Sequence, residues 1–491
     1  MADEAQAIRS INWREVFPFT HLFRAFRIAV HPSKLLLALA ALLLIYTGGR
    51  VMDWSWRRLP DRHLATVEEF PSLSNMKAAP GDDTQRALGP YMAFFRYEVE
   101  HVNSIAHSVL SNNWFSGPGA ARAALTGVEH PTYGVFPSLW SFLVVGPGNL
   151  LYFHPVFGII FFAWFLLIWS LFGGAISRIA AVHVARDEKI SVRQALRFSI
   201  NKVLSFLFAP LIPLLIILVI GAVVSGTGAI LLRIPVAGPI LTGILFFLAL
   251  LAGFIMTLVA LGTIGGFNLM FPTVAVEGSD SFDAISRSFS YVFARPWRML
   301  FYTVVALAYG ALTYLFVRLF IFIMLAMTHF FVGWWLGKGA AGRTWKGLGD
   351  QPPMWPAPTW RELPYDVNYS RLEWSEDVGA GAISFWVYIT IALLGAFAIS
   401  FYFSANTIIY YLMRREVDAT ELDDVYVEET EDEFGEPAPV TTTAAHEAAL
   451  PAAGGAMSEG GAGARAYGDS GGATSTSSTG GTTTGGAVPP P

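Results

Sequence analysis

The chain has 491 residues, 54% hydrophobic and only 14% charged, with a formal net charge of −5. Soluble globular domains carry roughly a quarter of their residues as charges, so an ordinary water-soluble fold is excluded. Cysteine is absent, which excludes disulfides, thiolate metal sites, iron–sulfur clusters and cysteine nucleophiles.

The net charge hides an asymmetry. Residues 416–436 hold eleven Asp or Glu and no Lys or Arg, whereas residues 1–415 hold 31 basic and 23 acidic residues, a net of about +8. The apolar residues are clumped in runs of the roughly 20 that a helix needs to cross a bilayer core. The expected fold class is therefore an all-α polytopic membrane protein with about six transmembrane helices, amphipathic interfacial helices and a disordered C-terminal tail.

Residues 1–33 form a cytoplasmic amphipathic segment. Within it, 12–31 interleave aromatics with Arg14, Arg24 and Arg27, as in a helix lying on the membrane surface with its arginines toward anionic headgroups. No cleavable signal is expected, and the first apolar run, 34–51, is read as a retained span. Residues 52–155 are an extracytoplasmic region whose best helix is 91–110. In it Tyr91, Phe94, Phe95, Val99, Val102, Ile105 and Val109 share one face. The apolar stretch 136–155 is broken at Gly146-Pro147-Gly148, and each half is too short to cross, so an interfacial or re-entrant hairpin is expected.

The second span covers 156–177, the third 203–224, the fourth 239–265 and the fifth 299–318. Residues 319–335 continue the apolar run without a breaker and are read as an emergent extension of the fifth span. Arg318 sits at its interface, where a snorkelling side chain reaches water. An extracytoplasmic region rich in Trp, Pro and Gly, 319–381, precedes the sixth span, 382–412. Its aromatics are read as anchors. Short loops rich in Lys and Arg stay in the cytoplasm. Arg178, Arg186, Lys189, Arg193, Arg197 and Lys202, then Arg287, Arg295 and Arg298, then Arg414 and Arg415 place both termini and both long polar connectors there.

Those connectors, 178–202 and 266–298, resemble each other. Ala195-Leu196-Arg197-Phe198-Ser199 aligns with Ala284-Ile285-Ser286-Arg287-Ser288, and Ser191 and Ser281 are the matching N-cap candidates. Each continues as an amphipathic helix between two spans. Spans two–three and four–five then form an internal parallel two-helix repeat about an axis along the membrane normal.

In the second copy Pro272, Ala275, Glu277-Gly278, Ala284, Arg287 and Ser288 form a motif. It is similar to one in uncharacterised bacterial polytopic membrane proteins and in the membrane portion of some glycerophosphodiester phosphodiesterases. The resemblance covers residues 175–306, and copy one lacks the Pro and the Glu-Gly. The soluble metal-dependent barrel that carries phosphodiester hydrolysis in those enzymes has no counterpart here, so the resemblance implies a membrane fold and no activity.

Candidate sites are few. Glu98 and His101 stand at i, i+3 in a Glu-x-x-His spacing that occurs in di-iron bundles. No second half is present, and they are read as a solvated helix face. No phosphate-cradling loop, nucleophile elbow or metalloprotease helix appears, and no catalytic residue, cofactor or metal is expected. Glu277 and Arg287 are the pair singled out, as a bridge fixing the amphipathic helix against its span or as a partner-docking site. In the acidic segment 413–436, Leu422, Val425 and Tyr426 are spaced hydrophobes suited to folding onto a basic protein partner, or to a soluble spacer. Residues 437–491 are low-complexity and expected to be disordered. The expected partners are the lipid bilayer and a protein, with nucleic acid not among them. The function expected is a non-enzymatic membrane scaffold or assembly factor of a bacterial-type inner membrane. The alternative is a transporter or permease subunit for an uncharged or amphipathic solute.

Overall fold

A computed structural model describes residues 17–59, 69–70, 89–116, 133–336, 345, 347, 353–360, 363–365, 367 and 372–426. Among them every regular element is helical. After a 3-10 turn at Pro18–Phe23 come α1 (Arg24–Ala29), α2 (Pro32–Trp56), α3 (Pro90–Leu110), α4 (Val135–Phe153) and α5 (Pro155–Arg186). They are followed by α6 (Val192–Asn201), α7 (Val203–Leu232), α8 (Ala237–Glu277), α9 (Ser281–Ala294), α10 (Pro296–Trp334) and α11 (Trp374–Val417). Seven of these, α2, α4, α5, α7, α8, α10 and α11, are long and apolar enough to cross a membrane. The chain is an all-α multi-pass membrane protein.

The additional candidate is α4. The expected break at Gly146-Pro147-Gly148 does not form, and the helix passes through a π turn at Ser141–Val145 instead. Pro147 falls in the first turn of the following α segment, where its missing N–H and fixed φ cost little. Within the 39-residue α10, Arg318 is interior rather than terminal. At 1.5 Å per residue α8, α10 and α11, of 41, 39 and 44 residues, are each roughly 60 Å long and overshoot a bilayer core.

The N-terminal segment also differs from expectation. Residues 1–16 lie outside the described residues. Leu22, Ala25, Ile28 and Ala29 are buried in the largest core cluster, with Phe397, Phe401 and Ala405 of α11. Arg24 and Arg27 both reach Asp187, at 2.9 and 3.6 Å. The apolar face that read as lipid-seeking is satisfied by protein.

The two connectors share one end of the bundle and one local design. Helix α5 ends at Asp187 in the left-handed conformation (φ 53°), and α8 ends at Gly278 likewise (φ 64°). Ser191 caps α6 by accepting from the Gln194 amide at 3.2 Å. The cap of α9 is Asp280 rather than Ser281, accepting from the Asp283 amide at 2.9 Å. A carboxylate is an equally good cap and takes the position one residue earlier. The aligned Ala195 and Ala284 are both fully buried, as are the aligned Ser199 and Ser288.

Each serine faces a glycine of the preceding long helix. A methyl group on Gly174 would lie 2.4 Å from Ser199 Oγ, and one on Gly266 would lie 3.2 Å from Ser288 Cβ. In the first case α5 opens into a π turn, Trp169–Gly173, and the Ser199 hydroxyl donates toward the carbonyls of Ser170 and Leu171 at 3.0 and 2.6 Å. Short polar contacts of this kind hold membrane helices together where burial alone cannot.

Beyond that crossing, α7 and α8 run as a hairpin with apolar flanks. Leu218, Val223 and Ile230 of α7 and Ile244, Phe247, Leu250 and Phe254 of α8 are exposed. In a bilayer these side chains meet lipid.

Candidate functional site

Polar side chains converge at the connector end, and Glu277 is their hub. As the last residue of α8 it sits beside the left-handed Gly278, with its side chain only 9% exposed. Arg287, two turns into α9, reaches it with Nε to Oε2 at 2.8 Å and Nη1 to Oε1 at 3.1 Å. Tyr410 of α11 donates its hydroxyl to the same carboxylate, and Arg414 approaches it at 3.4 Å. The pair singled out from the motif is thus in contact, within a larger cluster.

Arg287 also contacts Asp283 at 3.2 Å and Asp418 at 3.8 Å. Burial opposes its charge, but Glu277 and Asp283 outweigh that and raise its pKa. Tyr291 of α9 donates to Asp418, and burial together with that carboxylate holds its phenol protonated well above the ordinary range. On the flank, Arg298 meets Glu416 at 2.6 Å, and Tyr302 donates to the same carboxylate. Charge-assisted bonds thus tie α8, α9, α10 and α11 together at one level.

The acidic segment folds back onto this cluster. After α11 the chain returns over residues 418–426, and Val425 is buried, 6% exposed. The Tyr426 amide donates to the Val276 carbonyl at 2.8 Å. Arg178 of α5 bridges α8 and this returning segment, the strap, donating to the carbonyls of Ala275 at 2.8 Å and Tyr426 at 2.7 Å. Arg414 holds Asp424 through its carboxylate, at 2.6 Å, and its carbonyl, at 2.9 Å. A helix C-terminus leaves its last carbonyls without intrahelical partners, and α8 has two of them satisfied by Arg178 and the strap. Gly278 is required twice over, because its φ is positive and a Cβ there would meet the Tyr426 ring at 2.7 Å. Leu422 packs at the edge of the same core. Leu422, Val425 and Tyr426, expected as docking residues, therefore contact this chain itself. Residues 427–436 of the acidic segment and the low-complexity tail lie outside the described residues.

Three groups elsewhere depart from the expected pattern. His101 is fully buried, and neither its ring nitrogens nor the carboxylate oxygens of Glu98 have a hydrogen-bond partner among the described residues. The helix face read as solvated is covered by α4, where Glu98 fills the space a side chain at Gly146 would need. Tyr97 and Tyr133 sandwich the imidazole, at ring-centre distances of 4.4 and 5.1 Å. Burial pushes Glu98 up to about 8 and His101 down to about 4, so both are neutral near neutrality.

Arg318 is 3% exposed rather than snorkelling, and donates to the Trp360 carbonyl at 3.0 Å and Asn103 Oδ1 at 3.4 Å. Lys34, near the start of α2, is fully buried and reaches Ser404 Oγ at 3.4 Å. Sequence reasoning passed over it because a lysine at a span's edge normally reaches water. Trp345 and Trp355 are buried around His329, each with a ring centre 5.3 Å from the imidazole, so these aromatics anchor their loop to protein.

A cavity of about 360 Å³ lies between α3, α10 and α11, with Asn268 of α8 at its edge. Among the described residues no three metal-ligating side chains come together. No family model, no curated protein and no solved structure matches this chain.

Proposed function

We propose that the chain is a non-enzymatic scaffold of a bacterial-type inner membrane, built from two parallel copies of a helix–connector–helix unit, α5–α6–α7 and α8–α9–α10. Both connectors and both termini face the cytoplasm on this reading. The distribution of basic residues supports that orientation. Arg186, Lys189, Arg193, Arg197 and Lys202 belong to one connector and Arg287 and Arg295 to the other, while the short α7–α8 loop holds Arg233 alone. The matching caps, buried alanines and serine–glycine crossings support the repeat. They also fit the resemblance of residues 175–306 to bacterial polytopic membrane proteins.

The observation that carries the reading is the Glu277 cluster with its strap. It fixes α5, α8, α9 and α11 and the residues up to Tyr426 as one polar face. Residues 428–436 then offer six further carboxylates to a basic protein partner. Apolar flanks such as those of the α7–α8 hairpin give the lipid contact.

The test uses the full chain and a chain ending at Val427, each purified with native lipid. Zero-length coupling of carboxylates to amines is followed by peptide mapping. One stoichiometric partner, coupled through its lysines to residues 428–436 and lost on truncation, is the expected result. Partner capture unchanged by the truncation, or solute flux through the purified chain in sealed liposomes, overturns it.

A further inference from the structure

The cavity between α3, α10 and α11 has a composition that the scaffold reading does not use. Its volume of about 360 Å³ is within the range of small-ligand sites, roughly 300–1,000 Å³. Val102, Ile105 and Val109 form one wall, a stripe along α3. The facing wall includes Ala306 and Gly310 of α10 and Phe401 of α11, and its small residues keep the space open. Among the described residues no charged side chain lines it.

Polar groups gather where α8 meets α11. Tyr402 donates its hydroxyl to Asn268 Oδ1 at 2.6 Å, which leaves the Asn268 NH2 group to donate elsewhere. Asn406, one turn further along α11, is 6% exposed and lines the same cavity. An apolar slot ending in two carboxamides suits a hydrocarbon chain with a neutral head. It offers no countercharge to a carboxylate, phosphate or ammonium.

We propose that this cavity binds one chain of a neutral amphiphile of the monoacylglycerol type, with its hydroxyl and ester oxygens hydrogen-bonded by Asn268 and Asn406. The contacts divide by chemistry. The chain lies along the α3 stripe and the small residues of α10, and the head meets the two carboxamides. Fatty acid anions are rejected because no cation faces the slot and the charge has no compensation there.

The full chain in phosphatidylcholine nanodiscs is titrated with radiolabelled monooleoylglycerol and, separately, with oleate held in its ionised form. Saturable binding of one monooleoylglycerol per chain is expected, with oleate at least ~10-fold weaker. Asn406→Leu weakens monooleoylglycerol about tenfold, the equivalent of one hydrogen bond. Ala306→Phe fills the slot and abolishes binding. If that variant does not fold, Asn406→Leu and a photoactivatable monoacylglycerol decide the matter. The photoprobe labels residues 102–109 and 303–315 in preference to the α7–α8 hairpin. Equal affinity for oleate, unchanged binding by folded Asn406→Leu, or labelling spread evenly over α7 and α8 as in bulk lipid overturns the assignment.

Discussion

Glu277 and Arg287 form an ion pair, yet the two residues are not equivalent, and the difference is measurable. Glu277 is 9% exposed and takes contacts from Arg287, Arg414 and Tyr410, whereas Arg287 is 41% exposed and keeps Asp283 and Asp418 when Glu277 is removed. Breaking a buried pair by removing one partner costs about 3–5 kcal/mol, because the remaining charge is left uncompensated. For Glu277→Ala the stranded group is Arg414, 11% exposed, which retains Asp424. The lower end, about 3 kcal/mol, therefore applies. For Arg287→Ala the pair is half in water, and Glu277 keeps Arg414 and Tyr410, so the loss falls to about 1 kcal/mol. Reversible unfolding in mixed micelles reads both values, and the double variant reads their coupling. Equal losses for the two single variants, or a Glu277→Ala loss below about 1 kcal/mol, would refute the hub description.

Stability should depend on pH through α3. The Glu98 pKa is raised from 4.5 to about 8, so the folded state holds a proton that the unfolded state releases, and stability falls as pH rises from about 6.5 to 8. The slope is at most about 1.4 kcal/mol per pH unit. The His101 pKa is lowered from 6.5 to about 4, which loses stability as pH falls. Between 4.5 and 6.5 the two slopes oppose each other. Glu98→Gln should flatten the alkaline limb and uncover the rising His101 slope up to about pH 6.5, and a profile identical to the parent's contradicts the burial of that carboxyl. Arg178→Gln should release the strap, so that the thiol of a Val425→Cys variant, protected in the parent background, reacts with maleimide; continued protection counts against that bridge. Ser191→Ala and Asp280→Ala should each cost about 1 kcal/mol as lost helix caps, and a cost near zero for either removes that cap from the account.

Much of this was legible in the sequence, because long apolar runs carry a strong signal. The six expected spans are all present as helices, and the Glu277–Arg287 pair, singled out as a bridge or a docking site, is in contact. What was hidden depended on a second surface. Glu98 and His101 lie off the apolar stripe of α3, and are covered by Gly146 of α4 and by Tyr133 respectively. Helix α4 itself was obscured by Gly146-Pro147-Gly148, which reads as a break unless a π turn precedes it. Arg318 was misread and Lys34 passed over for one reason: snorkelling is the usual outcome for a cation in an apolar run, and periodicity does not reveal a carbonyl or hydroxyl waiting inside. The strap was invisible because its recognition is by backbone, through the Tyr426 amide and the carbonyls that Arg178 reaches.

Because the chain has no native cysteine, a single introduced thiol reports on one position alone. Lys189→Cys and Arg295→Cys, one in each connector and both exposed, are treated with an impermeant maleimide in sealed vesicles of known orientation, beside Arg233→Cys in the short α7–α8 loop. Labelling of both connector thiols from the cytoplasmic face, and of the loop thiol only from the other, is the pattern expected of two parallel helix–connector–helix units. Connector thiols that label from opposite faces would contradict it.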